Sequence, residues 1–345
     1  MKNTILILFL FWFLPGEIIA QDTIQIGPRD RMLAERAYNE GISLFNEGKL
    51  TESLQKFNDA IARRPDFYRA FYNRGVVKAE MNDFTGALAD YNLVIEKTPD
   101  YAMAYFARGK AHILAGNEHE AINDFTAAVS RSGNLYYAWY YRGIVHLDQG
   151  LYDQAINDFT SAINIRADFA YAYNDRGSAH RKNGNQQAAM ADYQQAVFLD
   201  PTMAFAFNNL GSLRLEMGQL REALESFTTA VNLSPEYLKA LNNRAVANIE
   251  LGSYDAAMQD IMRVLEISPD NYIALTNRGN IYYKQEKYEA ANEYHTLAIH
   301  LNPDYGPAYL NRGIAREMLR DREGAILDWQ KALELGLEEA REFLP

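Results

Sequence analysis

The chain has no cysteine, which excludes disulfide staples, thiolate zinc sites, cysteine nucleophiles and a lipid anchor on an N-terminal cysteine. Positive charge is in deficit: 34 Lys and Arg stand against 45 Asp and Glu, a formal charge of -11. A protein built to neutralise phosphates carries the opposite sign, so the expected partners do not include nucleic acid. After residue 20 no stretch is apolar for long enough to span a bilayer. What is present is the balance of a folded chain, with 48% apolar and 23% charged residues over 345 positions.

Residues 1–20 stand apart. Lys2 supplies a basic start, Ile5 to Leu14 is an unbroken apolar run, and Pro15-Gly16 breaks it ahead of the small Ala20. The run suits the core of a signal peptide and is short for a membrane span. The expectation is an exported protein, periplasmic or extracellular, that begins at or near Gln21 and has no integral membrane segment once cleaved. Left uncleaved, the same run would serve as an anchor. Residues 21–33 read as an N-terminal linker.

The prolines reveal a period. Pro65, Pro99, Pro201, Pro235, Pro269 and Pro303 are separated by 34 residues or by multiples of 34. A frame opened at Ala34 gives nine consecutive blocks: 34–67, 68–101, 102–135, 136–169, 170–203, 204–237, 238–271, 272–305 and 306–339. Place 8 of each block is Gly except for Ala245, and place 20 is Ala except for Ser53. Small residues at these places let two helices approach closely. Large residues at place 24, such as Phe57, Tyr91, Phe159 and Trp329, fill the space beside them. Place 15 is mostly Gly (Asn82 in the second block), a residue type that tolerates the left-handed conformation ending a helix. Each block therefore predicts a helix, a tight turn, a second helix and a short loop. A single block cannot bury its apolar face alone, so the blocks stack into an all-α array. Residues 337–345 read as a short capping helix.

Segments such as Ala104-Tyr105-Phe106-Ala107-Arg108-Gly109, Ala155-Ile156-Asn157-Asp158-Phe159 and Asn302-Pro303-Asp304-Tyr305 resemble tetratricopeptide repeats, and the period is that of the family. The resemblance covers residues 34–339. It implies a right-handed α-solenoid, a superhelix of helix-turn-helix repeats whose first helices line a concave groove. Glu286 and Arg320 stand where glycine is usual, which predicts looser turns in the last two blocks.

Charge pairing can be tested within the sequence itself. Place 7 is usually Arg and place 23 usually Asp, as in Arg74/Asp90, Arg142/Asp158, Arg176/Asp192, Arg244/Asp260 and Arg312/Asp328. Both signs reverse together in Glu40/Lys56, and both charges vanish together in Leu210/Ser226. The covariation predicts ion pairs between the two helices of one block, with Arg278/Tyr294 the mismatch. His112, His146 and His180 recur at place 11, but stacked repeats hold equivalent side chains roughly 10 Å apart, too far to share a metal. No catalytic constellation and no cofactor motif is found.

In the family, places 2, 5, 9, 12 and 13 of the first helix face the groove. The Lys and Asn positions that clamp a terminal carboxylate in chaperone cofactors of the family are occupied here by Tyr38, Ile42 and Met103 in the first three blocks. Asn174, Asn208 and Asn242 at place 5 adjoin Asn209, Asn243 and Asn277 at place 6 of successive blocks. An asparagine amide carries both donors and an acceptor, so it matches the N–H and C=O of an extended peptide of any sequence. The arrangement resembles the asparagine ladder by which some tetratricopeptide superhelices hold a peptide backbone. These six asparagines are the candidate peptide-binding residues, with Tyr140, Tyr171 and Phe205 supplying side-chain selectivity. The functional expectation is a non-enzymatic scaffold binding a protein or peptide partner. The alternative is an envelope assembly or secretion factor that docks a membrane or polysaccharide-export machinery.

Overall fold

The computed structural model describes residues 26–345, and the leader assigned to residues 1–20 lies outside them. The described residues form two compact units, divided between Ala115 and Gly116. The first contains α1 (Pro28–Asn46), α2 (Leu50–Arg63), α3 (Tyr68–Glu80), α4 (Phe84–Lys97) and α5 (Ala102–Leu114). The second runs from α6 (Glu118–Arg131) through α7 (Tyr136–Asp148), α8 (Tyr152–Ile165), α9 (Ala170–Lys182), α10 (Gln186–Leu199) and α11 (Ala204–Glu216) to α12 (Leu220–Leu233). It continues through α13 (Leu238–Glu250), α14 (Tyr254–Ile267), α15 (Tyr272–Lys284), α16 (Tyr288–Leu301), α17 (Gly306–Met318) and α18 (Arg322–Glu334). Among the described residues there is no strand, and the fold is an all-α solenoid of helix-turn-helix repeats.

The small residues perform the packing expected of them. Gly143 leaves room for the ring of Phe159, since a Cβ built there would lie 2.8 Å from the ring. Gly41, Gly75, Gly177, Gly211, Gly279 and Gly313 stand in the same way against Phe57, Tyr91, Tyr193, Phe227, His295 and Trp329. The block with Ala245 at place 8 carries Ile261 rather than a ring at place 24, and both are fully buried. In the first unit Phe57, Ala60, Phe67, Ala70 and Val77 form one core cluster. In the second, Ala230, Ala240, Leu241, Ile261, Val264 and Ile281 form another.

The predicted ion pairs form. Nη2 of Arg74, Arg142, Arg176, Arg244 and Arg312 lies 2.6–2.7 Å from Oδ1 of Asp90, Asp158, Asp192, Asp260 and Asp328, and Lys56 pairs with Glu40 at 2.6 Å. Nε of each of these five arginines donates to the other carboxylate oxygen. The carboxylates are buried, only 3–6% exposed, so these are not the weak surface pairs that a stripe of charge suggests. Several arginines also reach back to the preceding block, as Arg176 does to Thr160 Oγ1 at 3.0 Å. At the mismatch, Arg278 lies 4.3 Å from the centre of the Tyr294 ring, a cation–π contact in place of the carboxylate.

Three features differ from expectation, while the short closing helix expected at the C-terminal end is present. Helix α1 begins at Pro28, so residues 28–33 are helix rather than linker; proline at the first helical position needs no donor there and presets φ. The turns at Glu286 and Arg320 are as tight as the rest, with φ of 62° and 67° against 73° at Gly150. The repeat geometry imposes the left-handed conformation whatever the residue, at about 1–2 kcal/mol of strain for a side chain with a Cβ. The cap is a 3-10 helix (Glu338–Phe343) that buries Ala340 and lays Phe343 5.3 Å from Trp329. The continuous frame, finally, divides into two units at the turn inside block 102–135.

Candidate functional site

Successive first helices within a unit touch through places 5 and 6. The side chain at place 5 of one block meets the side chain 35 residues later, at place 6 of the next. In the first unit Asn73 Nδ2 donates to Tyr38 Oη at 2.9 Å. In the second unit Tyr140 Oη donates to Asp175 Oδ2 at 2.7 Å. Three asparagine pairs follow: Asn209 Nδ2 donates to Asn174 Oδ1 at 3.0 Å, Asn243 to Asn208 at 2.9 Å, and Asn277 to Asn242 at 3.3 Å.

The six predicted asparagines are therefore brought together, but as partners of one another. Asn174, Asn208, Asn242 and Asn277 are buried, with Asn208 fully so. Their place in the helix explains this: they lie beside the buried Ala and Gly of places 3 and 8, where the next first helix covers them. Asn174 Nδ2 is further committed to Asp175 Oδ1 at 2.9 Å, and Asn242 Nδ2 to the Leu238 carbonyl at 3.1 Å. Only Asn209 and Asn243 are half-exposed, and the Oδ1 of each accepts no hydrogen bond among the described residues. Burial thus withdraws Asn174, Asn208, Asn242 and Asn277 from any surface a peptide could touch, against the expectation that both columns are open, and leaves only Asn209 and Asn243 half-exposed.

The aromatic candidates lie where a partner can reach them. Tyr171 is 48% exposed, and its ring centre lies 5.7 Å from that of the half-buried Phe205 on the next first helix. Tyr137, one block earlier, is 40% exposed. Tyr140 is half-buried against Phe169, with ring centres 4.8 Å apart. Burial, then the neighbouring Asp175 charge, raises its hydroxyl pKa, so it remains a hydrogen-bond donor. These rings and the uncommitted Oδ1 atoms of Asn209 and Asn243 lie along the first helices of the second unit.

The first-helix face of the second unit also contains a residue that the sequence reading passed over. Place 6 is asparagine in six blocks (Asn39, Asn73, Asn209, Asn243, Asn277 and Asn311), Ala107 and Tyr141 in two, and Asp175 in the fifth. A lone acid in a largely asparagine column was the available signal. Farther along the same face, Arg181 is held by Glu216 of the next first helix. The face also has hollows. In the first unit a cavity of about 390 Å³ is lined by Tyr72, Val76, Tyr91, Phe106, Lys110 and Leu114 among others. In the second, one of about 200 Å³ is lined by Glu250, Asn280, Lys284, Asn311 and the buried His295. Neither ring nitrogen of His295 has a hydrogen-bond partner, and burial lowers its pKa to about 3.

The histidine column is structural in the second unit. His146 Nδ1 is 2.9 Å from Asp158 Oδ2, and His180 Nε2 is 3.9 Å from Asp192 Oδ2. Among the described residues no group of three or more acidic or histidine side chains is arranged to hold a metal ion. No described helix is long and apolar enough to cross a membrane.

Family models described as tetratricopeptide repeat match residues 38–102, 75–135, 106–167, 140–204, 208–272 and 272–305. No curated protein matches the chain. Among solved structures, a tetratricopeptide repeat protein from Parabacteroides merdae is similar with a TM-score of 0.61 and 19% identity over 70% of this chain and 97% of that one. The C-terminal part of a repeat-containing protein from Cytophaga hutchinsonii gives 0.57 and 16% over 70% and 98%. A chain of the Cut9-Hcn1 hetero-tetramer of the APC/C gives 0.58 and 18% over 80% of this chain. This chain spans only 54% of that one.

Proposed function

This chain belongs to the tetratricopeptide repeat family, and from that premise we propose that it is a non-enzymatic scaffold. Its first-helix face in residues 116–345 holds an extended peptide or an extended segment of a partner protein. The observation that carries the reading is the strip of Tyr137, Tyr171, Phe205, Asn209 and Asn243. Two exposed rings and two amides with uncommitted acceptor oxygens occur on successive first helices. Aromatic rings give a large contact area with little loss of side-chain freedom, while Asn209 keeps one N–H and its Oδ1 for a peptide group and Asn243, whose Nδ2 donates to Asn208 Oδ1 and Ser212 Oγ, offers its Oδ1. An extended strand rises about 3.3 Å per residue, so helices spaced about 10 Å apart are met every third residue.

A photo-crosslinking residue placed at Tyr171 tests this. It should capture bound peptides from a random dodecapeptide library, whereas the same residue at Phe198, 78% exposed on the second helix α10, should not. Equal capture at both positions would remove the first-helix face from consideration. We propose, from the apolar run in residues 1–20, that the scaffold works after export. A mature N-terminus at Gln21 by mass spectrometry is the expected outcome, and an intact Met1 would overturn it.

A further inference from the structure

The step between Tyr140 and Asp175 runs against the rest of the ladder. In the asparagine pairs an amide of the later block donates to an amide oxygen of the earlier one. Here the earlier block's hydroxyl donates, and the later block presents a carboxylate. A carboxylate has about four lone-pair positions, of which Tyr140 and Asn174 fill two.

What Asp175 lacks is a cation. The buried Asp158, Asp192, Asp260 and Asp328 of the same unit each have an arginine of their own block. The arginine following Asp175 in the chain, Arg176, is one of these and is committed to Asp192. Arg181, farther along the same helix, is held by Glu216. Lys182 lies seven residues on, about 10 Å along the axis. No Lys or Arg nitrogen comes within ion-pairing distance of Asp175 among the described residues. Burial raises the carboxyl pKa above its ordinary value, and Asp148 of the preceding first helix pushes in the same direction. Both effects are relieved by an incoming positive charge.

The surroundings suit a cation of one particular kind. Asp175 is half-buried, so the group must come on a side chain long enough to enter. Tyr171, four residues earlier and so one turn away on the same helix face, is exposed beside the Phe205 ring. Aromatic faces attract ammonium and guanidinium groups and pack against their methylene stems.

Resting on the peptide-binding reading above, we propose that Asp175 is the specificity-determining residue of that face. It receives the side chain of a Lys or Arg in the bound segment, while Tyr171 and Phe205 flank the stem. The ladder thus selects one basic position in an otherwise sequence-tolerant peptide.

The test uses the full chain and the variant Asp175→Asn. The substitution restores the residue common at place 6 and keeps an oxygen for Tyr140 to donate to. Peptides are selected from a random dodecapeptide library on the parent protein, and one is remade with norleucine at its enriched basic position. The expected result is a single position enriched in Lys or Arg, with the basic peptide bound about tenfold or more weaker by Asp175→Asn. The norleucine peptide should bind parent and variant alike. Unchanged melting of the variant keeps the comparison free of unfolding. If peptides are selected without a basic position, or the basic peptide binds both proteins equally, the cation site falls and the peptide-binding face stands. If the library yields no bound peptide at all, both fall together.

Discussion

The contact inside a block and the contact between blocks follow opposite policies. Inside a block the two helices meet through one repeated device: an arginine forked onto a buried aspartate, as in Arg244 and Asp260, above a small residue that faces a large one, as in Gly143 and Phe159. Between first helices the device varies along the chain, from tyrosine–asparagine in the first unit to tyrosine–aspartate and then three asparagine–asparagine steps in the second. The first contact is the same wherever it is formed and sets the repeat. The second is where one block differs from the next, and it borders the face open to a partner. Conserving the inner seam leaves the outer one free to specialise.

The largest effect should come from breaking the inner seam on one side. Arg244→Ala leaves Asp260 buried, at 6% exposure, with no cation, and should destabilise the second unit by about 3–5 kcal/mol in chemical denaturation. Arg244→Leu with Asp260→Ser, the combination nature uses at Leu210 and Ser226, should recover most of that loss. If the double variant is as unstable as the single one, the pairing is not what the seam depends on. Next in size is Gly143→Val, where the added atoms meet Phe159 and should cost about 1–3 kcal/mol, read as a lower and less cooperative thermal transition.

Asn208→Ala sharpens the comparison from the other side. As a solvated groove residue it would leave stability unchanged. As the buried acceptor for Asn243, whose amide also reaches Ser212 Oγ at 3.3 Å, it should cost about 0.5–1.5 kcal/mol for the lost hydrogen bond.

His295 gives a pH signature. Its folded pKa, near 3, lies below the ordinary value of about 6.5, so the unfolded chain binds the proton more readily. Stability should therefore be full above pH 6.5 and fall as the pH drops towards 3, by roughly one kcal/mol per pH unit for this group. His295→Phe, matching the rings at place 24 in other blocks, should flatten that slope and raise the melting temperature. The smallest effect concerns the turns: Glu286→Gly should stabilise by about 0.5–1 kcal/mol, because φ there is 62°.

The inner seam was legible in the sequence because its partners vary together within a single chain. Glu40 with Lys56, and Leu210 with Ser226, identify the pairing without any structure. The outer seam was not legible in the same way. Periodicity shows that Asn174, Asn208 and Asn242 share a face, but a period of 34 does not reveal that each meets a residue 35 positions on. Their burial follows from how closely neighbouring helices approach, which depends on packing rather than on residue type. Glu286 and Arg320 misled for a related reason, since the surrounding helices dictate the turn and the residue submits to it. The division after Ala115 falls in a turn like the others, with no change of composition to mark it. Asp175 was visible as an exception in its column, but only the hydrogen bond from Tyr140 shows why the exception matters.

The most direct measurement of the central claim is the affinity of one library-selected peptide for the parent and for the double variant Tyr171→Ala, Phe205→Ala. Both rings border the first-helix face, and since Phe205 also packs against Ala170, Ala196, Met203 and Ala206, affinity is measured well below the lowered melting transition of the variant. Binding should weaken by about tenfold or more as the strip loses its two adjoining rings. An affinity equal to that of the parent, with the fold intact, would contradict the assignment of this face as the place where the partner lies.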